Sequence, residues 1–94
     1  MEIHGFLKQV CAPVPINTKN GVKDKVTFIV ELTPAGEQYP QSIAVETFNA
    51  NVAQFIQGYQ IGAPITVVCD CYAREFNGKY YNSINAWNAY TPQQ

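Results

Sequence analysis

The feature that most constrains this chain is the dipeptide Asn77-Gly78, set between two runs, residues 65–76 and 79–90, that are rich in strand-forming residues. Asn-Gly supplies the two consecutive positive-φ residues of a tight hairpin turn, so the two runs pair as one long antiparallel hairpin. A hairpin of that length needs further strands to cover it, and the rest of the chain supplies them. Residues 3–11 put Ile3, Gly5 and Leu7 on one face and His4, Phe6 and Lys8 on the other, which predicts a first strand. Pro13 and Pro15 interrupt that pattern, and Asn17-Thr18-Lys19-Asn20-Gly21 predicts a loop or ragged hairpin turn. In residues 25–33, Val26, Phe28, Val30 and Leu32 alternate with Thr27, Glu31 and Thr33, with Ile29 as the exception. Pro34-Ala35-Gly36 and Pro40 break the chain before a third run, residues 42–48, with Ile43 and Val45 toward the core and Phe48 beside Glu46 on the other face.

The period then changes. Val52, Phe55 and Ile56 recur at helical spacing, Asn49 or Asn51 can cap the start, and Gly58 stands where a helix stops. The predicted order is three strands, one short helix and a two-strand hairpin. This is the order of an all-β, five-stranded OB-fold Greek-key barrel with its helix between strands three and four. Ninety-four residues hold one such domain, assigned to residues 1–91, with residues 92–94 as a short C-terminal end. With 47% hydrophobic and 14% charged residues the chain has the composition of a folded domain. No apolar stretch approaches the roughly 20 residues of a membrane span, and the start lacks a secretion signal, so no membrane partner and a cytoplasmic location are expected.

Chemistry of the catalytic kind is poorly provided for. There is one histidine, no G-x-S-x-G turn and no H-E-x-x-H, and the carboxylates Glu2, Asp24, Glu31, Glu37, Glu46, Asp70 and Glu75 are scattered. Cys11 with His4 as its base rests only on proximity within one strand. No enzyme, cofactor or catalytic residue is assigned. Cys69 and Cys71 are expected on the inward face with Ile65 and Val67 as small buried hydrophobes, and C-x-C without a second ligand pair predicts no metal.

The net charge of −1 offers no global attraction for a polyanion, but the few cations are unevenly placed. Lys19, Lys23 and Lys25 fall in or beside the loop after the first strand, Arg74 and Lys79 flank the hairpin turn, and only Lys8 lies elsewhere. These are the two loops with which OB-folds hold oligonucleotides, although loop lysines are also ordinary solubilising charges. Aromatics sharpen the pattern. Tyr72, Arg74 and Phe76 alternate onto the face opposite Ile65 and Val67, giving two rings and a guanidinium suited to stacking unpaired bases. Aromatics are also common strand formers, so one or more of Tyr80, Tyr81, Trp87 and Tyr90 is expected inside the barrel or between subunits.

Residues 42–87 resemble the single-stranded-DNA-binding proteins of bacteria and phages, and the related small OB domains of Bacteroides-like bacteria and their phages. The resemblance runs in order through Ala44-Val45-Glu46-Thr47-Phe48, Val52-Ala53-Gln54-Phe55-Ile56, Gly58-Tyr59-Gln60-Ile61-Gly62, Ile65-Thr66-Val67-Val68, Tyr72-Ala73-Arg74-Glu75-Phe76 and Asn77-Gly78-Lys79-Tyr80-Tyr81. It implies stacking aromatics at Phe48 and Phe76, Arg74 on the nucleic-acid backbone and Tyr72 in place of a cation. The hairpin loop is shorter than usual in that family, Phe stands at tryptophan positions, and Pro92-Gln93-Gln94 carries no acidic recruiting tail. The expected function is single-stranded DNA binding with little sequence preference, in replication, recombination or repair. The expected site is Phe48, Tyr72, Arg74 and Phe76 bordered by Lys8, Lys23, Lys25 and Lys79, with Tyr81 and Trp87 as further candidates. A homodimer or homotetramer is expected, and replication or repair proteins are possible partners. A protein-interaction or oligomerisation module and a single-stranded RNA binder are the alternatives.

Overall fold

The computed structural model describes residues 1–32 and 41–92, apart from the side chain of Phe76. The elements are β1 (Glu2–Val10), β2 (Val14–Thr18), β3 (Gly21–Glu31), β4 (Ser42–Thr47), α1 (Ala50–Gln57), β5 (Pro64–Phe76) and β6 (Lys79–Tyr90). The expected break at Pro34-Ala35-Gly36 and Pro40, with Thr33 and Glu37, lies outside the described residues.

β1, β5, β6, β4 and β3 pair in that order, and β1 returns to β3, so five strands close a barrel with no free edge within the ring. All pairings are antiparallel except β4 with β6, which meet at Glu46 and Asn85. The fold is the OB-type barrel predicted from element order. Val26, Phe28, Val30, Val45, Ile65, Val67, Cys69 and Leu7 fill the interior, and α1 closes one end with Val52 and Ile56. None of Tyr80, Tyr81, Trp87 or Tyr90 enters the barrel; on β6 the buried hydrophobic positions are the small Ala86 and Ala89, with Ile84 half-buried against the core. A narrow five-stranded barrel already packed with Phe28, Leu7 and Ile65 has room only for a methyl group there.

Three expectations are corrected. The segment after the first strand is a sixth strand: β2 pairs antiparallel with β3 from Val14–Lys25 to Thr18–Gly21. Pro15 is tolerated because β2 bonds to β3 alone and sits at the edge, where a missing N–H faces solvent. Lys23 is therefore a strand residue on an arm and not a loop residue, and Lys25, at the start of the expected strand, lies on the same β3. Cys71 is exposed, whereas Cys69 is fully buried. The alternation continues, but β5 runs past the barrel at this point, so Cys71 meets solvent although Ile84 opposite it is still half-buried against the core. Finally, β4 ends at Thr47, and Phe48 belongs to the corner leading into α1.

That corner is held by hydroxyl and amide groups. Buried Thr47 donates its Oγ1 hydrogen to the carbonyl of Ala86 at 2.9 Å and accepts from the Asn49 amide at 3.1 Å. Asn49 Oδ1 then accepts from the amides of Asn51 at 2.9 Å and Val52 at 3.3 Å, capping the helix. Asn49→Ala leaves two first-turn amides without that acceptor, and thermal denaturation will show a loss of about 1 kcal/mol. A stability equal to that of the parent protein would show that the cap contributes nothing.

Candidate nucleic-acid interface

The arm formed by β5 and β6 turns at Asn77 (φ 52°) and Gly78 (φ 79°), the two positive angles of a type I′ hairpin. That turn sets the register. Phe76 lies opposite Lys79, Arg74 opposite Tyr81, Tyr72 opposite Ser83 and Asp70 opposite Asn85. Residues directly opposite share a face, so Tyr72, Arg74 and Tyr81 stand together on one side of the arm. Glu75 and Tyr80 stand on the other. Tyr72 is 43% exposed and Tyr81 50%, so both rings are open to solvent. Tyr80, at 73%, is more exposed still but points the opposite way.

The same face continues across the barrel. Asn85 pairs with Glu46, and Glu46 with Thr27 on β3, two residues from Lys25. Lys25 Nζ lies 3.8 Å from Glu46 Oε1, both side chains mostly shielded, so this lysine is partly neutralised. Lys23 follows two residues earlier on β3 and lines a cleft of about 440 Å³ with Phe48, Asn49, Gln54 and Gln57. An outward strip thus runs from Lys23 and Lys25 to Tyr72, Tyr81 and Arg74, and the Phe48 cleft, lined also by Asp24 and Val26 of the opposite face of β3, adjoins it at Lys23. Asp70 and Glu46 lie on it as well, so it carries rings and amides with little net charge.

Two expected site residues fall elsewhere, each at a β-bulge. Lys8 is the extra residue of β1, between the pairs Leu7–Val30 and Gln9–Ile29. Trp87 is the extra residue of β6, between Ala86–Cys69 and Asn88–Val68. The bulge turns Trp87 outward, and it lines a separate cleft of about 290 Å³ with Phe55, Asn51 and Val52. Asn49 borders both clefts. Lys79 stands at the tip of the arm, in register with Phe76, whose side chain lies outside the described part of the structure. Asn85 was not singled out from the sequence, yet counting back from the Asn77-Gly78 turn assigns it to the Tyr72 face, where Ser83 is buried beside it.

No catalytic grouping is present on the strip. His4 and Cys11 lie seven residues apart, roughly 20 Å along an extended strand, too far for a nucleophile and its base. His4 Nδ1 instead meets Thr66 Oγ1 at 3.1 Å, and Tyr90 donates to Glu2 Oε1 at 2.8 Å. That bond raises the Tyr90 phenol above its ordinary range, and burial raises the Cys69 thiol. Among the described residues no group of three or more His, Cys, Asp or Glu is placed to hold a metal ion.

Comparison with solved structures finds the same barrel elsewhere. The mitochondrial single-stranded DNA binding protein Rim1 from S. cerevisiae superposes with a TM-score of 0.71 at 15% identity, over 97% of this chain and 91% of that one. The small single-stranded DNA-binding protein from Streptomyces coelicolor gives 0.54 at 14% identity, over 98% and 92%. At such identities the likeness is one of fold. No curated protein matches the chain. Residues 2–89, nearly the whole barrel, match the family described as Domain of unknown function (DUF3127), and the chain belongs to that family.

Proposed function

We propose that this protein binds single-stranded DNA with little sequence preference, laying the strand across the outward strip between its two arms. One observation carries the reading: Tyr72, Arg74 and Tyr81 share one solvent-facing side of the β5–β6 arm, clear of the core. Rings of this kind stack on any base, and a guanidinium between them can stack or meet a phosphate. The strip carries exposed single rings, which suits an unpaired strand whose bases are free to turn outward and not a duplex whose bases are already stacked. The fold shared with two single-stranded DNA-binding proteins points the same way by analogy. A role in replication, recombination or repair is proposed with it.

Fluorescence anisotropy with labelled oligo-dT and with a duplex of equal length tests the proposal. The single strand binds and the duplex does not. Five cations stand on the arms, Lys19, Lys23, Lys25, Arg74 and Lys79. At about −0.7 per cation engaged, the slope of log K against log salt is therefore no steeper than about −3.5. With Lys25 held by Glu46, it falls short of that limit. A steeper slope, or equal affinity for the duplex, would place the binding in a charge-driven mode that this surface does not support.

A further inference from the structure

The β5–β6 arm leaves one edge of β5 open. β1 covers that edge only as far as Cys69, whose amide donates to the Met1 carbonyl at 2.8 Å. Backbone groups on an antiparallel strand alternate in direction, so Cys71, Ala73 and Glu75 also point their N–H and C=O groups away from β6. Among the described residues no strand pairs with this edge. Its residues are exposed, and residues 70–75 contain no proline. Among the other open edges, that of β2 is blunted by Pro15, and that of β6, from Lys79 to Ile84 before its single pairing with β4 at Asn85, lies on the far side of the same arm. An unblunted strand edge that stands clear of the barrel is a template for another strand.

We propose that a second copy of this chain occupies it, β5 pairing antiparallel with β5 of the partner about a two-fold axis at Ala73. This register uses the whole free edge, residue 70 opposite residue 76 of the other copy, and the Asn77-Gly78 turn leads each chain back to its own β6 before it meets Met1 of the other. It is self-complementary. Each Tyr72 falls directly opposite an Arg74, a ring against a cation, at a close pair that does not share hydrogen bonds, with Cα atoms about 4.5 Å apart. The two diagonals of each Arg74 fall on Asp70 and Arg74 of the other copy, and the carboxylate is within reach of the long side chain. Neither Asp70 nor Arg74 has an ion-pair partner within its own chain among the described residues. Outward groups of Cys71, Ala73 and Glu75 supply the ladder hydrogen bonds. Because the axis stands perpendicular to the sheet, the Tyr72, Arg74 and Tyr81 faces of both copies come to the same side, joining two strips end to end. The pairing rests on the edge and on Tyr72, Asp70 and Arg74 meeting across the axis, and it stands whether or not the strip holds nucleic acid.

Ala73→Pro tests it. Proline removes an N–H that points outward and takes no bond from β6, so the arm persists while the edge is blocked. Analytical ultracentrifugation of the wild-type chain should show a dimer or a multiple of it, and Ala73→Pro should halve that mass with an unchanged far-UV circular dichroism spectrum. Arg74→Glu, which sets an anion against Tyr72 and Asp70 of the other copy, should do the same without touching the backbone. A wild-type chain that is monomeric at about 100 μM, or an Arg74→Glu chain that keeps the wild-type mass, overturns the proposal. In a Cys71→Ser background, Ala73→Cys should oxidise to a covalent dimer across the axis, and Tyr80→Cys should not. Equal cross-linking of the two counts against the register.

Discussion

Gly5→Ala will lower the thermal midpoint by well over about 10 °C, the largest effect expected from removing no contact at all. β1 leaves β5 and joins β3 at this point: Phe6 pairs with Pro64 on one side and with Glu31 on the other. Gly5 lies at that crossing, and a Cβ added there would stand 2.4 Å from the Glu31 carbonyl oxygen and 2.7 Å from Val30 Cγ1. The nearer atom is backbone, already held in the β1–β3 and β3–β4 pairings, and Val30 is fully buried, so neither can yield cheaply. Overpacking against such neighbours costs up to about 3 kcal/mol and occasionally more. A domain of this size is stable by only about 5–15 kcal/mol in total, and each kcal/mol moves its midpoint by about 4–8 °C. Differential scanning calorimetry of the variant gives the answer; a midpoint within about 2 °C of wild type would mean that barrel closure does not depend on the bare backbone at Gly5.

The second large effect concerns binding. Truncating both Tyr72 and Tyr81 to alanine should weaken oligo-dT binding by about 2–6 kcal/mol, given about 1–3 kcal/mol for each base–ring stack. That is a loss of roughly 30-fold to 10⁴-fold. Both rings are exposed and outside the core, so the variant folds as the wild type does. Tyr80→Ala is the control that separates stacking on this face from general arm chemistry. Tyr80 is the most exposed of the tyrosines on the arm and sits one residue from Tyr81, yet register turns it to the other side. Its truncation should change affinity by less than about threefold, and fluorescence anisotropy on the three proteins decides. Equal losses from Tyr80 and from the Tyr72–Tyr81 pair would remove the face as the source of affinity.

The parts of this molecule legible from its sequence were those governed by local rules. Asn77-Gly78 specifies the turn, and the turn specifies that Arg74 meets Tyr81; Asn49 and Gly58 bound the helix at the residues where capping places them. The inward series Val26, Phe28 and Val30 follows from alternation alone. Features that depend on a partner strand were not legible. β2 carries Pro15, which argues against a strand until one knows that the segment lies at an edge. Lys8 and Trp87 sit at bulges, where one extra residue shifts the pairing with no signal of its own in the sequence. Cys71 keeps the inward phase, but its exposure depends on where the barrel stops and the arm begins. The ion pair between Lys25 and Glu46 joins β3 to β4, and only their register shows that this lysine is less free than its neighbours.

Nucleic-acid binding by the outward strip is tested most directly by nuclear magnetic resonance of the ¹⁵N-labelled chain titrated with oligo-dT. The strip predicts that amide shifts concentrate at residues 70–74 and 81–85 and around Lys23 and Phe48, while Phe6, Ile61 and Gly62 stay in place. Shifts confined to that second group, or a spectrum unmoved at saturating oligonucleotide, would contradict it.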